Sequence, residues 1–159
     1  MSGITIRKAE ARDAEALAEL LRQVGKVHAE GRKDIYCSPL TKHDERSALA
    51  IIEAADGGVL IAEADGKVVA ELIFKRMSRE CDGFYRTRKW IYIDDLCVDE
   101  NYRGGGVAKA LNDEVERIAR EEDCDAVELN CWAFNERAVK FYKRMGYAPQ
   151  KTQYEKILK

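Results

Sequence analysis

Paired cysteines, prolines, histidines and long apolar runs are all scarce in this chain, and each scarcity removes a class of protein. The five cysteines are Cys37, Cys81, Cys97, Cys124 and Cys131. Their number is odd and no Cys-x-x-Cys pair occurs, so neither a disulfide framework nor a zinc site is signalled. Only two prolines are present and 46% of the 159 residues are hydrophobic, which excludes a disordered or collagen-like chain. The longest apolar runs, such as Ala48 to Ile52, fall far short of the ~20 residues of a membrane span. Neither sign of charge dominates: 27 basic residues face 29 acidic ones, a net charge of −2, so no overall field exists to hold nucleic acid or an anionic membrane. The two histidines, His28 and His43, are remote in sequence from the chemical motifs below, which leaves a nucleophilic cysteine without an obvious base.

The cysteines therefore read as reduced thiols of a cytoplasmic protein, with Cys97 and Cys131 as small buried hydrophobes in strand-like runs. Met1-Ser2-Gly3-Ile4-Thr5 leads straight into an alternating segment, so no signal peptide is expected. The length suits one domain, residues 1–159.

Hydrophobic spacing orders the chain. Ile4–Arg7 alternates as a strand, Asp13 stands as an N-cap, and Leu17, Ala18, Leu20 and Leu21 recur at helical spacing. Gly31 and Pro39 break the following stretch, and a second helix begins after Thr41, with Thr41-Lys42-His43-Asp44 resembling a capping box. Val59–Ala64 and Lys67–Lys75 are β-rich runs joined by Asp65-Gly66, a strong hairpin signal. Met77–Lys89 is a polar connection, and Trp90–Val98 is the most apolar strand. Gly104–Glu122 is a helix with Val107, Leu111, Val115 and Ile118 on one stripe. Ala126–Cys131 is a strand, Asn135–Met145 a helix ended by Gly146, and Gln153–Leu158 a closing strand. The predicted order is β-α-α-β-β-β-α-β-α-β: an α/β fold with a mixed central sheet flanked by helices.

The densest chemical signal is the run Leu96-Cys97-Val98-Asp99-Glu100-Asn101-Tyr102-Arg103-Gly104-Gly105-Gly106-Val107-Ala108-Lys109. A buried strand enters a glycine turn that opens a helix. Such a turn brings backbone N–H groups close to a ligand and adds the positive end of the helix dipole, which together suit a phosphate. Arg103 and Lys109 add charge. A P-loop would need Gly-Lys-Ser/Thr where Gly106-Val107-Ala108 stands, and a dinucleotide fingerprint would need a small residue in place of Lys109.

Arg103-Gly104-Gly105-Gly106-Val107-Ala108 resembles the Arg/Gln-x-x-Gly-x-Gly/Ala acyl-CoA motif of the GNAT N-acetyltransferases. Asn135-Glu136-Arg137-Ala138-Val139-Lys140-Phe141-Tyr142-Lys143-Arg144-Met145-Gly146-Tyr147 resembles the family's Asn-x-x-Ala-x-x-Phe-Tyr-x-x-x-Gly-Phe helix. The element order is similar over nearly the whole chain.

The resemblance implies a single-domain GNAT fold that moves an acetyl group from acetyl-CoA to an amine directly, without a metal. It implies that the strand before the glycine turn splays from its neighbour, so that the backbones of Leu96, Cys97 and Val98 pair with the pantetheine arm. The turn from Arg103 through Gly104, Gly105, Gly106, Val107 and Ala108 to Lys109 would hold the pyrophosphate, and Asn135 would contact the cofactor. Tyr142 would protonate the leaving thiolate, a task that suits a phenol protonated at neutral pH. Spacing alone would make Tyr142 a helix-face aromatic and Asn135 a plain N-cap. Tyr92-Ile93-Asp94-Asp95-Leu96 resembles the acidic segment of polyamine-type members. This gives Asp94 the amine and leaves Asp95 structural, the two pointing to opposite faces of the strand. Members that acetylate ribosomal-protein N-termini carry a Glu where Asn130 stands, with Glu128 two residues earlier.

Acceptor choice is expected from Val24–Leu40, which offers His28, Glu30, Asp34 and Tyr36, and from Met77–Lys89. From Lys75 to Lys89, six basic residues face Glu80 and Asp82, a run that suits a cofactor phosphate or a solvated face. A small primary amine is the expected acceptor, with a peptide or protein amine second and a non-catalytic acyl-CoA-binding module third. A homodimer is kept as an expectation for assembly.

Overall fold

The computed structural model describes residues 3–37 and 43–158. Its elements are β1 (Thr5–Lys8), α1 (Ala14–Gly31), α2 (Glu45–Ile52), β2 (Gly57–Ala64), β3 (Lys67–Arg79), β4 (Arg88–Val98), α3 (Val107–Glu121), β5 (Ala126–Leu129) and α4 (Glu136–Arg144). Among the described residues the strands lie in the order β1-β2-β3-β4-β5. The first four are antiparallel neighbours, and only β4 and β5 run parallel. This is the mixed sheet that the sequence predicts. None of the described helices is long and apolar enough to cross a membrane.

Both faces of the sheet are covered. Leu60, Leu72, Phe74, Ile91 and Ile93 pack with Val107, Leu111, Val115 and Ile118 of α3. On the other face Val59, Ile61 and Ile73 pack with Leu17 and Leu21 of α1 and Ala48 of α2. Two buried faces explain why β2 and β3 read as continuous apolar runs rather than as alternation. The β2–β3 hairpin turns through Asp65 at φ 50° and Gly66 at φ 76°. Two successive left-handed residues match the right-handed twist of the strands, which is why Asp-Gly was legible there.

Several boundaries differ from the sequence reading. Gln153–Leu158 forms no strand, and Tyr154, Ile157 and Leu158 are 89%, 70% and 84% exposed. Alternation makes a strand only against a partner edge; here the Glu155 carboxylate meets Arg32 at the end of α1, 2.6 Å away. The polar connection is shorter than expected, because β3 runs on to Arg79 and β4 begins at Arg88. β5 stops at Leu129, so Cys131 is exposed in the following loop, while Cys97 is buried as expected. The box that starts α2 is formed by Asp44 and Ser47, whose backbone N–H donates to Asp44 Oδ1 at 2.8 Å. Thr41, like Pro39, lies outside the described residues.

Asp13 precedes α1 but does not cap it with its side chain. A short 3-10 turn, Ala11–Asp13, lies in front of the helix, and the buried carboxylate accepts from the Glu10 N–H at 2.7 Å and from Arg7 at 2.8 Å. Arg7 also reaches Glu63 of β2, so one guanidinium ties β1, β2 and the start of α1 together. The Arg7 hydrogen bond holds the Asp13 carboxyl below its ordinary value. That stabilisation is present above the unfolded carboxyl's value and is lost as pH falls through the folded one. Asp13→Asn should cost about 2 kcal/mol, a drop of roughly 4–8 °C in Tm at this size. The deficit should shrink on acidification; thermal melts between pH 7 and pH 3 test it.

Candidate active site

The site begins with an irregularity in β4. Ile73 pairs with Asp95 and Phe74 pairs with Ile93, so Asp94 is an extra residue with no partner on β3. The bulge resets the strand's alternation: Ile91 and Ile93 face α3 before it, and Leu96 and Val98 after it. Asp94 and Asp95 therefore both face α1 and α2, not opposite sides as a regular strand would place them.

The same region is where β4 loses a neighbour. β5 pairs with β4 only from Trp90↔Ala126 to Ile93↔Leu129. From Asp95 to Val98, β4 keeps β3 on one edge and, among the described residues, has no strand on the other. Leu96, Cys97 and Val98 thus stand along an open backbone edge, as the resemblance implied. The Val98 carbonyl accepts from Arg103 Nε at 3.0 Å. Gln23 of α1 donates to Asp99 at 3.1 Å and fixes the strand's exit.

The glycine turn follows. Gly104 and Gly106 adopt φ 84° and 82°, and at both a Cβ would meet only open space. Their conformation, not crowding, demands glycine, and the space beside them is free for a ligand. Gly106 is the N-cap of α3, no acid stands in the first turn, and the first helical bond runs from the Ala110 N–H to the Gly106 carbonyl. The N–H groups of Val107, Ala108 and Lys109 consequently point out of the helix end without intrahelical acceptors. The open β4 edge, these donors and the clear space fit an acyl-CoA. Lys109 itself is drawn along the helix to Asp113, 2.5 Å away.

Tyr142 enters from α4. Its ring lies 5.5 Å from that of Tyr147. The Tyr147 hydroxyl donates to buried Asn112 of α3 at 2.9 Å. Burial raises the Tyr142 phenol well above its ordinary value, and the nearby Cys131, Tyr147, Asp95 and Glu71 push in the same direction. The hydroxyl is therefore a retained proton, which a general acid requires. Asn135 caps α4, its side chain accepting from the Ala138 N–H at 3.1 Å.

The acids divide by environment. Asp94 is 44% exposed and lies 3.0 Å from Lys75. It lines a hollow of about 130 Å³ with Ile51, Ala54, Asp56, Ile73, Phe74 and Lys75. Asp95 keeps a little surface, and its Oδ1 accepts from the Leu96 N–H at 2.9 Å. Burial pushes its carboxyl up to about 7. Glu71 of β3 is fully buried; among the described residues its oxygens meet no side-chain donor, and the Cys97 N–H beside it is the one group that favours its ionised form. Burial, then the charge of Asp95, holds Glu71 well above the usual carboxylate range. The sequence reading did not single out Glu71; its signal was one acid inside the apolar run Val68-Val69-Ala70-Glu71-Leu72-Ile73.

Other expected residues are engaged elsewhere. Glu128 holds Arg88 and accepts from Gln150, and Asn130 hydrogen-bonds Tyr92. Asp34 pairs with Arg32. His28, whose pKa burial lowers, stacks near Tyr36, and Tyr36 accepts a hydrogen bond from Trp132 at 3.2 Å. Part of Val24–Leu40 lies outside the described residues. The basic run is largely consumed internally: Arg76 on Glu122, Lys89 on the Glu122 carbonyl, and Arg79 over the Tyr85 ring. A larger hollow of about 580 Å³ lies beside Arg7, Arg12 and Lys67, residues that belong to the ion-pair end of the sheet rather than to this site. No cluster of three or more metal-ligating side chains occurs among the described residues.

Residues 26–147 match the acetyltransferase (GNAT) family, and the chain belongs to it. It is 31% identical over 151 residues to the L-amino acid N-acetyltransferase AaaT of Escherichia coli, covering 92% of this chain and 84% of that one. A solved point mutant of the BH1408 protein from Bacillus halodurans superposes with a TM-score of 0.92 at 31% identity, over 97% of this chain and 99% of that one. The ribosomal-protein-alanine N-acetyltransferase of Brucella melitensis shares the fold, with a TM-score of 0.72 at 24% identity over 99% and 100% of the two chains. The protein is an N-acetyltransferase of a family whose members use acetyl-CoA.

Gly106→Glu tests the phosphate cradle. An added Cβ meets nothing within 4 Å, but φ 82° strains any side chain there, and a carboxylate beside the unpaired N–H groups that open α3 would repel a phosphate bound to them. The backbone penalty is about 1–2 kcal/mol, so the fold survives, while acetyl-CoA affinity by calorimetry should fall by at least about tenfold.

Proposed function

We propose that the protein acetylates a primary amine of a small molecule, using acetyl-CoA, by direct transfer within a ternary complex. One observation carries this reading: the open edge of β4 runs from the two acids to the glycine turn, with Tyr142 at its side. Bound there, acetyl-CoA supplies the activated acetyl thioester.

The chain's own residues divide the work. Leu96, Cys97 and Val98 offer backbone groups that align the pantetheine arm as a neighbouring strand would. The turn from Arg103 to Ala108 and the start of α3 hold the pyrophosphate, with Lys109 lending charge from the first helical turn. Asn135 sits beside the arm. Tyr142 gives its proton to the departing thiolate. Asp94, in the hollow beneath α2, draws the cationic amine and exchanges Lys75 for it. Holding both reactants in line is itself a large part of the acceleration. The relative named for L-amino acids supports a small-molecule acceptor.

Thioester cleavage followed with acetyl-CoA alone, and with a panel of L-amino acids and alkyl diamines, tests the reading. Amine-dependent release of CoA is expected; release that no amine stimulates would contradict it. Tyr142→Phe keeps the ring packing and removes the proton, so kcat should fall by about 10²-fold with acetyl-CoA affinity little changed. Asp94→Asn should raise KM for cationic amines by up to about fivefold with little change in kcat, since an exposed pair contributes at most about 1 kcal/mol. That effect should fade in high salt.

A further inference from the structure

The bulge brings a second acid within reach of Asp95. Glu71 lies opposite Cys97, and Asp95 lies opposite Ile73 on the same face of the β3–β4 pair. They are diagonal cross-strand neighbours, with backbones about 7–8 Å apart, within the span of two carboxyl side chains. Glu71 is 0% exposed, and among the described residues its two oxygens meet no side-chain donor, only the Cys97 N–H favouring its charge. An ionised carboxylate in that position would forfeit its solvation for one backbone N–H, whereas a neutral carboxyl carries a donor of its own. The acceptor that the register sets diagonally across from it is Asp95, whose charge acts on Glu71.

We propose that Glu71 and Asp95 form a carboxyl–carboxylate pair sharing one proton, in which Asp95 takes the proton from the acceptor ammonium and Glu71 positions it. This rests on the acetyltransferase reading above. Glu71–OH donates to the Asp95 carboxylate and so favours its ionised form against the cost of burial. The ammonium N–H bond breaks and an Asp95 O–H bond forms, leaving a neutral amine to attack. On forming the amide the nitrogen gives up a second proton. Of the two protons released, one replaces the proton that Tyr142 passes to the thiolate, and the other leaves to solvent through the pair. The groups that face the pair are Asp94 and Cys97 on β4 and Tyr142 on α4. Asp94 opposes ionisation of both acids, and the buried Cys97 thiol and Tyr142 phenol stay neutral. Ile73, opposite Asp95, packs in the apolar cluster with Leu17 and Leu21 of α1 and Ala48 of α2.

The pair makes a distinctive pH signature. A carboxyl raised toward 7 leaves the folded state holding a proton that the unfolded state has lost. Its stability contribution is therefore complete below the unfolded carboxyl's value and declines as pH rises through about 7. The rate moves oppositely: kcat/KM should climb through the same interval as Asp95 ionises.

The test combines carbon-detected NMR titration of carboxyl-labelled protein with pH profiles of kcat/KM, using the fastest acceptor of the L-amino acid and diamine panel. A carboxyl titrating near 7 is expected in the wild type and absent in Asp95→Asn, whose activity at pH 7 should be about 10²-fold lower with no ionisation limb. Glu71→Gln retains a donor and should keep the limb in place. Glu71→Leu removes it and should move the limb upward by about one pH unit; a purely structural Glu71 would lower Tm in both variants and leave the limb where it was. If Glu71→Leu does not fold, the titration in Glu71→Gln decides, because a second, higher-titrating carboxyl must vanish there. No carboxyl titrating above pH 6 in the wild type, or an unchanged limb in Asp95→Asn, overturns the pair. A neutral titration lost in Asp95→Asn, in an enzyme that acetylates no amine of the panel, would uphold the pair and overturn the acceptor reading alone.

Discussion

The site depends on β4 being a strand with one neighbour too few. β5 accompanies it for four residue pairs, Trp90↔Ala126 to Ile93↔Leu129, and then departs. Backbone N–H and C=O groups left along the inside of a fold require partners. Everything nearby answers to that need: the bulge at Asp94 falls where pairing ends, the glycine turn closes the far end, and α4 brings Tyr142 to the side. In the proposed function, an acyl-CoA arm laid into the gap would complete the ladder, making cofactor recognition an extension of sheet formation.

The bulge also changes the chemistry of its two acids. A regular strand would have sent Asp94 and Asp95 to opposite faces, one to the α3 core and one to the acceptor side. The extra residue turns both to the side of α1 and α2, at different depths. Asp94 remains wet and paired with Lys75, whereas Asp95 sits where burial makes it reluctant to ionise. Two neighbouring carboxylates with different environments can divide attraction and proton transfer between them.

Much of this was legible in the sequence, for physical reasons. Asp65-Gly66 is a turn chemistry with few alternatives, and the stripe of Val107, Leu111, Val115 and Ile118 fits only a helix against a sheet. The glycines before Val107 marked a turn needing left-handed backbone, and Gly104 and Gly106 adopt it. Fine detail was lost where tertiary partners override local preference. Asp13 has the right position for a cap, but Arg7 of β1 claims its carboxylate. The alternation of Gln153–Leu158 had no edge to pair with while Glu155 met Arg32. The bulge was invisible because nothing in Tyr92-Ile93-Asp94-Asp95-Leu96 distinguishes an extra residue from regular alternation; only the register against β3 does. Glu71 was overlooked for a related reason. Its apolar neighbours speak for a buried strand, and its burial gains meaning only from Asp95, its diagonal neighbour on β4.

The central claim is that acetyl-CoA binds as the missing neighbour of β4. Amide hydrogen exchange with and without acetyl-CoA measures this directly. The account predicts slowed exchange concentrated at Leu96, Cys97 and Val98 and at the N–H groups opening α3, with little change along β1 and β2. Protection that spares the Leu96–Val98 edge, or that gathers instead at the hollow beside Arg7 and Lys67, would contradict it.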